Sequence, residues 1–158
     1  MILIVQSGQI ETSIMAGKFS NKKSVIIEAP VAAVWQALID PVLIKKYFFG
    51  IDSMGEWKEG NTIISKGEWQ GKKFGGKAKV LQMETQKLLK HSYWSDLSGH
   101  ADVPENYHII TYELLPENRN TKLTLPEENL ATREIKEQSA KLWDIIFDNL
   151  KKLLEQRD

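Results

Sequence analysis

The chain has 158 residues, 42% of them hydrophobic, with 21 Lys and Arg set against 21 Asp and Glu and no cysteine. Zero net charge supplies no broad positive field for a phosphate backbone, so no nucleic acid is expected as a partner, and the missing thiols exclude disulfides and cysteine nucleophiles and agree with a reducing, cytoplasmic setting. No apolar run approaches the roughly 18 to 20 residues of a membrane span, and this length suits one domain that buries about two thirds of its unfolded surface unaided.

Residues 1–18 hold a short apolar run, then Ser7, Gly8, Thr12 and Ser13, and read as an N-terminal extension or an extra edge strand, with Met15 as an alternative start. The run is too short for a secretory core, and no Lys or Arg precedes it. The predicted domain is 19–158. Residues 24–28 read as a strand. Pro30 suits a first helical turn, where a missing N–H costs nothing, and that helix sets Val31, Val34, Trp35 and Leu38 on one side. Asp40 and Pro41 end it and begin another, Asp40 as N-cap and Pro41 as first helical residue. The second helix carries Val42, Leu43, Tyr47, Phe48 and Phe49 to a stop at Gly50.

From 50 to 129 the hydrophobic period changes to two. Ile63, Ser65, Gly67 and Trp69 alternate with polar neighbours, and Gly76, Ala78 and Val80 alternate with Lys77 and Lys79, whose ammonium groups belong in water. Further strands are predicted over 88–94, 107–115 and 121–125, the last after a turn at 116–120. Asn129 or Thr132 caps a final helix over 131–157. On it Ile135, Leu142, Trp143, Ile146, Phe147, Leu150, Leu153 and Leu154 recur at three- and four-residue steps, forming one apolar stripe. Strands segregated from helices predict an α+β layer. A long helix gripping a curved antiparallel sheet can leave a cavity between the two.

Three motifs are weighed against plain structural roles. Gly71, Gly76 and Lys77 satisfy most of a phosphate-loop pattern, but Ala78 stands where a hydroxyl is needed, and the segment continues as a strand, so a hairpin turn is expected. Ser98, His100 and Asp102 bring triad residue types together, and Asp96, His100, Asp102 and Glu105 could suggest a metal. Neighbours in one loop rarely align for either, so a polar loop with no metal and no cofactor is expected. His108 shares parity with Ile110, Tyr112 and Leu114, an inner face on which it could orient a ligand or serve as acid or base. The plainer role is a strand-start histidine bonded to the next loop, and it is favoured for His91 as well.

The segments EAPVAAVWQALIDPVLIKKYFF at 28–49, GEWQGKKFGGKAKVLQ at 67–82, YWSDLSG at 93–99, PENYH at 104–108, TYELLP at 111–116 and TKLTLPEEN at 121–129 resemble the START-like SRPBCC superfamily. Within it they resemble the group named after activators of the ninety-kilodalton heat-shock chaperone's ATPase. The resemblance implies a helix-grip (START/Bet v-like) fold, a curved antiparallel sheet on a long C-terminal helix with two short helices after the first strand. It also implies a cavity that holds apolar ligands, and in some branches an enzyme. The chaperone activators carry a further N-terminal domain, which is not expected here with roughly 22 residues before the first strand.

The reading that follows is binding of a hydrophobic or amphipathic small molecule between the final helix and the sheet. Trp143 and Phe147 form the roof, Trp69, Trp94 and Tyr112 the wall, and His108 the polar anchor. A stress-related co-chaperone module is the alternative, acting on a heat-shock chaperone through an exposed patch at Tyr47, Phe48 or Phe49. A cavity enzyme such as a cyclase or hydratase is the third; it needs two converging polar groups, and only one is nominated.

Overall fold

A computed structural model describes residues 18–155. The expected extension, Met15 included, falls outside the described residues apart from Lys18. Strand β1 is Phe19–Ile27, helix α1 Val31–Ile39 and helix α2 Pro41–Tyr47. Strands β2 Asp52–Met54, β3 Thr62–Trp69, β4 Lys72–Glu84, β5 Leu88–Ser95, β6 His108–Glu117 and β7 Asn120–Leu130 follow, and helix α3 is Arg133–Leu154. All neighbouring strands are antiparallel, and the order across the single curved sheet is β1-β7-β6-β5-β4-β3-β2. This is the helix-grip α+β architecture expected from the sequence.

Local chemistry sets the boundaries. Pro30 lies just outside α1 in extended conformation, as its N-cap. Asp40 caps α2 with a side-chain oxygen that accepts from the Val42 N–H at 2.9 Å, and Pro41 fills the first position, where no donor is required. The turn of α2 ends at Tyr47, earlier than the sequence suggests, because Phe49 and Gly50 both adopt left-handed backbone angles that break helical bonding. At the β3–β4 hairpin Gln70 and Gly71 have φ of 51° and 81°, so the phosphate-loop resemblance resolves into a two-residue turn matched to strand twist. Thr132, rather than Asn129, caps α3, accepting from the Ile135 N–H at 3.1 Å.

The core lies between the concave face of the sheet and the three helices. From α3 it takes Trp143, Ile146, Phe147 and Leu150; from β7, Leu123 and Leu125; from α1, Val34, Trp35 and Leu38. The centre of the apolar stripe read from the sequence is therefore the buried face of α3, while Leu142 of the same stripe is 38% exposed. Lys23 of β1 reaches Asp144 of α3 at 2.7 Å, and the Lys151 ammonium donates to the Ile26 carbonyl, so the helix is also tied at its edges. Two features had no sequence signal: the three-residue β2, and a bulge in β4 at Leu81 that turns this side chain to solvent.

Candidate functional site

Between α3 and the sheet lies a cavity of about 580 Å³. Ile63 and Ser65 of β3, Ala78 of β4, His91 and Tyr93 of β5, and Ile110 and Tyr112 of β6 form its wall, each on the inner parity of its strand. Leu142, Trp143 and Ile146 cover it from α3, while Ile44, Tyr47 and Phe48 close it from α2 and the turn after it. The partly exposed Trp69, Leu97 and Leu142 mark its mouth. Gly76 has no side chain because none fits: a Cβ there would lie 2.6 Å from the Tyr93 hydroxyl oxygen.

Aromatic rings run edge to face along one side. Trp69 meets Phe49 at 5.1 Å between centroids, Phe49 meets Phe48 at 6.0 Å, Phe48 meets Trp143 at 5.9 Å, and Trp143 meets Tyr112 at 6.0 Å. Such contacts hold the wall rigid while leaving its faces apolar. His91 is buried beside Trp57 and Tyr112, and its Nδ1–H donates to the Ser92 carbonyl at 2.9 Å. Burial pushes its imidazole down to about 4, against a weaker opposite pull from the Ser92 bond, so it is neutral and Nε2 is an acceptor. The Trp57 indole N–H is buried without a partner among the described residues.

One end of the cavity is polar. Glu127 of β7 is 2% exposed, and the Ser139 hydroxyl of α3 sits 2.7 and 2.8 Å from its two carboxylate oxygens. Asn21 of β1 donates to the same carboxylate at 3.4 Å. His108 Nδ1 lies 3.6 Å from Glu127 Oε2, an electrostatic contact across the β6–β7 ladder. Burial alone would raise this carboxyl; the imidazole, Ser139 and Asn21 together outweigh it and hold it below the usual glutamate value. Asn129 borders the same end, donating to the carbonyls of Glu105 and Tyr107 while its own carbonyl oxygen is buried and unpartnered among the described residues. Chemically the pair can accept a proton at His108 Nε2 while Glu127 stabilises the resulting imidazolium.

Of the six residues nominated from the sequence, Trp69, His108, Tyr112 and Trp143 line this cavity together. Trp94 borders it, but the register sets it opposite the exposed Lys77, on the outer parity of β5. Its indole donates to the His100 carbonyl at 3.1 Å and its ring stacks on Tyr107. Tyr93 holds the inner position that alternation was taken to give its neighbour. Phe147 does not line the cavity; it packs behind Trp143 at 5.9 Å in the core. The partner of His108 is the adjacent strand rather than a loop. Glu127 and Ser139 were missed, though a signal existed: Leu123, Leu125 and Glu127 share one parity, and Ile135, Ser139 and Leu142 share one helical face.

The 96–105 loop forms neither a triad nor a metal centre. Asp102 is held by Lys77 and the Tyr107 hydroxyl, and the His100 N–H donates to Ser98 Oγ at 3.1 Å. Among the described residues no group of three or more His, Asp or Glu side chains could hold a metal ion. Among them, too, no helix is long and apolar enough to cross a membrane.

The family model described as Activator of Hsp90 ATPase homolog 1-like protein matches residues 28–155, most of the chain. The protein belongs to this family. As an activator-of-Hsp90-ATPase-like domain it is similar to ChR145 from Cytophaga hutchinsonii, whose solution structure has 37% identity and a TM-score of 0.76 over 87% of this chain and 94% of that one. The crystal structure of CV1439 from Chromobacterium violaceum aligns over 87% and 98% with a TM-score of 0.76 at 17% identity. That of CalU16 from Micromonospora echinospora aligns over 87% and 76% with a TM-score of 0.68 at 22% identity. These last two bear on the fold alone. Among curated proteins none matches the chain.

Proposed function

We propose that this domain binds an apolar or amphipathic small molecule in the cavity beneath α3, its apolar body against Trp69, Tyr112 and Trp143 and its polar group toward His108. The observation that carries the reading is the cavity itself: about 580 Å³, within the range of small-molecule sites, with a largely apolar wall and a polar cluster around Glu127. Enclosing roughly 250 Å² of apolar ligand surface, at about 25 cal/mol per Å², contributes about 6 kcal/mol before the loss of motional freedom offsets much of it. Trp94 serves at the rim, and Phe147 supports Trp143 from behind.

The test is a cavity-filling variant. Nile red, a neutral apolar dye, is expected to bind the parent protein with one saturable site. Ala78→Phe, which projects a ring from β4 into the cavity, should keep its circular dichroism spectrum and bind the dye at least about tenfold more weakly, the loss of a little over one kcal/mol of contact. Equal binding by parent and filled variant places the dye elsewhere and sinks the reading.

The co-chaperone alternative draws support from the family's description. Of the patch it needs, Tyr47 is 3% exposed, and Phe48 and Phe49 are partly buried against the core.

A further inference from the structure

We infer that the cavity selects neutral apolar molecules bearing a hydroxyl group and turns away carboxylates such as fatty acids, an inference that rests on the cavity-binding reading above. Three neighbouring groups at the polar end lead to it. Glu127 places an ionised carboxylate almost out of reach of water, with its oxygens already engaged by Ser139 and Asn21. A second anion brought beside it meets repulsion that solvent cannot screen.

His108 supplies the second group. The carboxylate 3.6 Å from Nδ1 favours the tautomer with its proton on that nitrogen, which leaves Nε2, at the other edge of the ring, as an acceptor. Among the described residues Nε2 makes no hydrogen bond. Asn129 is the third: both its donor contacts go to backbone carbonyls, so it offers the cavity no free donor. An end made of one acceptor beside one anion complements a donor without negative charge, and a hydroxyl is the smallest such group. The charged side chains that also border this region, Lys18 and Glu105, are of opposite sign, so the sign of the inner end is set by Glu127.

Pyrene, 1-pyrenemethanol and 1-pyrenecarboxylate share one ring body and differ in one substituent, and their binding at pH 8 is read by energy transfer from tryptophan. The alcohol should bind about fivefold tighter than pyrene, the gain from one added neutral hydrogen bond, and at least about tenfold tighter than the carboxylate. In His108→Phe the alcohol-to-pyrene affinity ratio should fall to about one, and His108→Gln, which offers a carbonyl acceptor, should partly restore it; thermal melts establish that both variants fold. A carboxylate that binds as well as the alcohol, or a ratio that survives in His108→Phe, overturns the inference and leaves the cavity reading standing. Binding by none of the three overturns the cavity reading as well.

Discussion

His91 shows how one buried side chain makes the protein sensitive to acid. Its folded-state imidazole is held near 4 by burial, whereas in the unfolded chain it titrates at the ordinary value of 6.5. Because the unfolded state takes up the proton first, the stability this residue contributes is complete above pH 6.5 and is lost as pH falls from 6.5 toward 4, on the order of 3 kcal/mol in all. Urea unfolding at a series of pH values should show that decline in the parent and a flatter profile in His91→Phe; parallel profiles would remove His91 as its cause. Glu127, also held below its ordinary value, loses its contribution as pH falls below about 4.5, under most of that window. At this scale the sequence was partly legible. His91 stands among apolar strand positions, but its burial beside Trp57 and Tyr112 depends on residues distant in sequence. Glu127 escaped because the strand reading stopped at Leu125, two residues short, and a carboxylate is seldom assigned to a buried face. Tyr93 and Trp94 are adjacent aromatics, so composition gives no way to choose which faces inward.

At the scale of elements, α3 depends on its first turn as well as on its apolar stripe. The Thr132 hydroxyl accepts the Ile135 N–H, and Ser139, which holds Glu127, lies less than two turns further on. Thr132→Ala should destabilise the fold by about 1 kcal/mol, read as a lower urea midpoint with an unchanged slope. A changed slope would mean that the helix frays as a separate unit. Elements with strong local signals were legible: two helices set by Asp40–Pro41, alternating strands with lysines on the wet side, and the long stripe of α3. Those whose shape is decided by partners were not. The strand β2 is three residues pairing with β3, and the bulge at Leu81 satisfies the twist of a neighbouring strand, which no local pattern encodes.

For the whole molecule the cavity is the property least visible in sequence, since its size follows from sheet curvature and from where α3 crosses. Residue types could say which rings would face inward; they could not say that space would remain between them. If the space is a binding site, a ligand that occupies it stabilises the folded state by mass action. At one hundred times its dissociation constant, 1-pyrenemethanol should contribute about 2.7 kcal/mol and raise the melting temperature by roughly 5 to 10 °C. A scan that shows no shift at saturation, in spite of measured binding, would locate that binding outside the native fold.

The pairing of β1 with β7 has a consequence for how the protein is made. Phe19 meets Leu130 and Ile27 meets Thr121, so a strand near the beginning waits for one produced about a hundred residues later. Until β7 leaves the ribosome, β1 has no neighbour, and α3, which follows β7, is the piece that covers the apolar concave surface. That surface therefore stays uncovered until β7 and α3 have both been made, and its closure waits on pairings between segments distant in sequence.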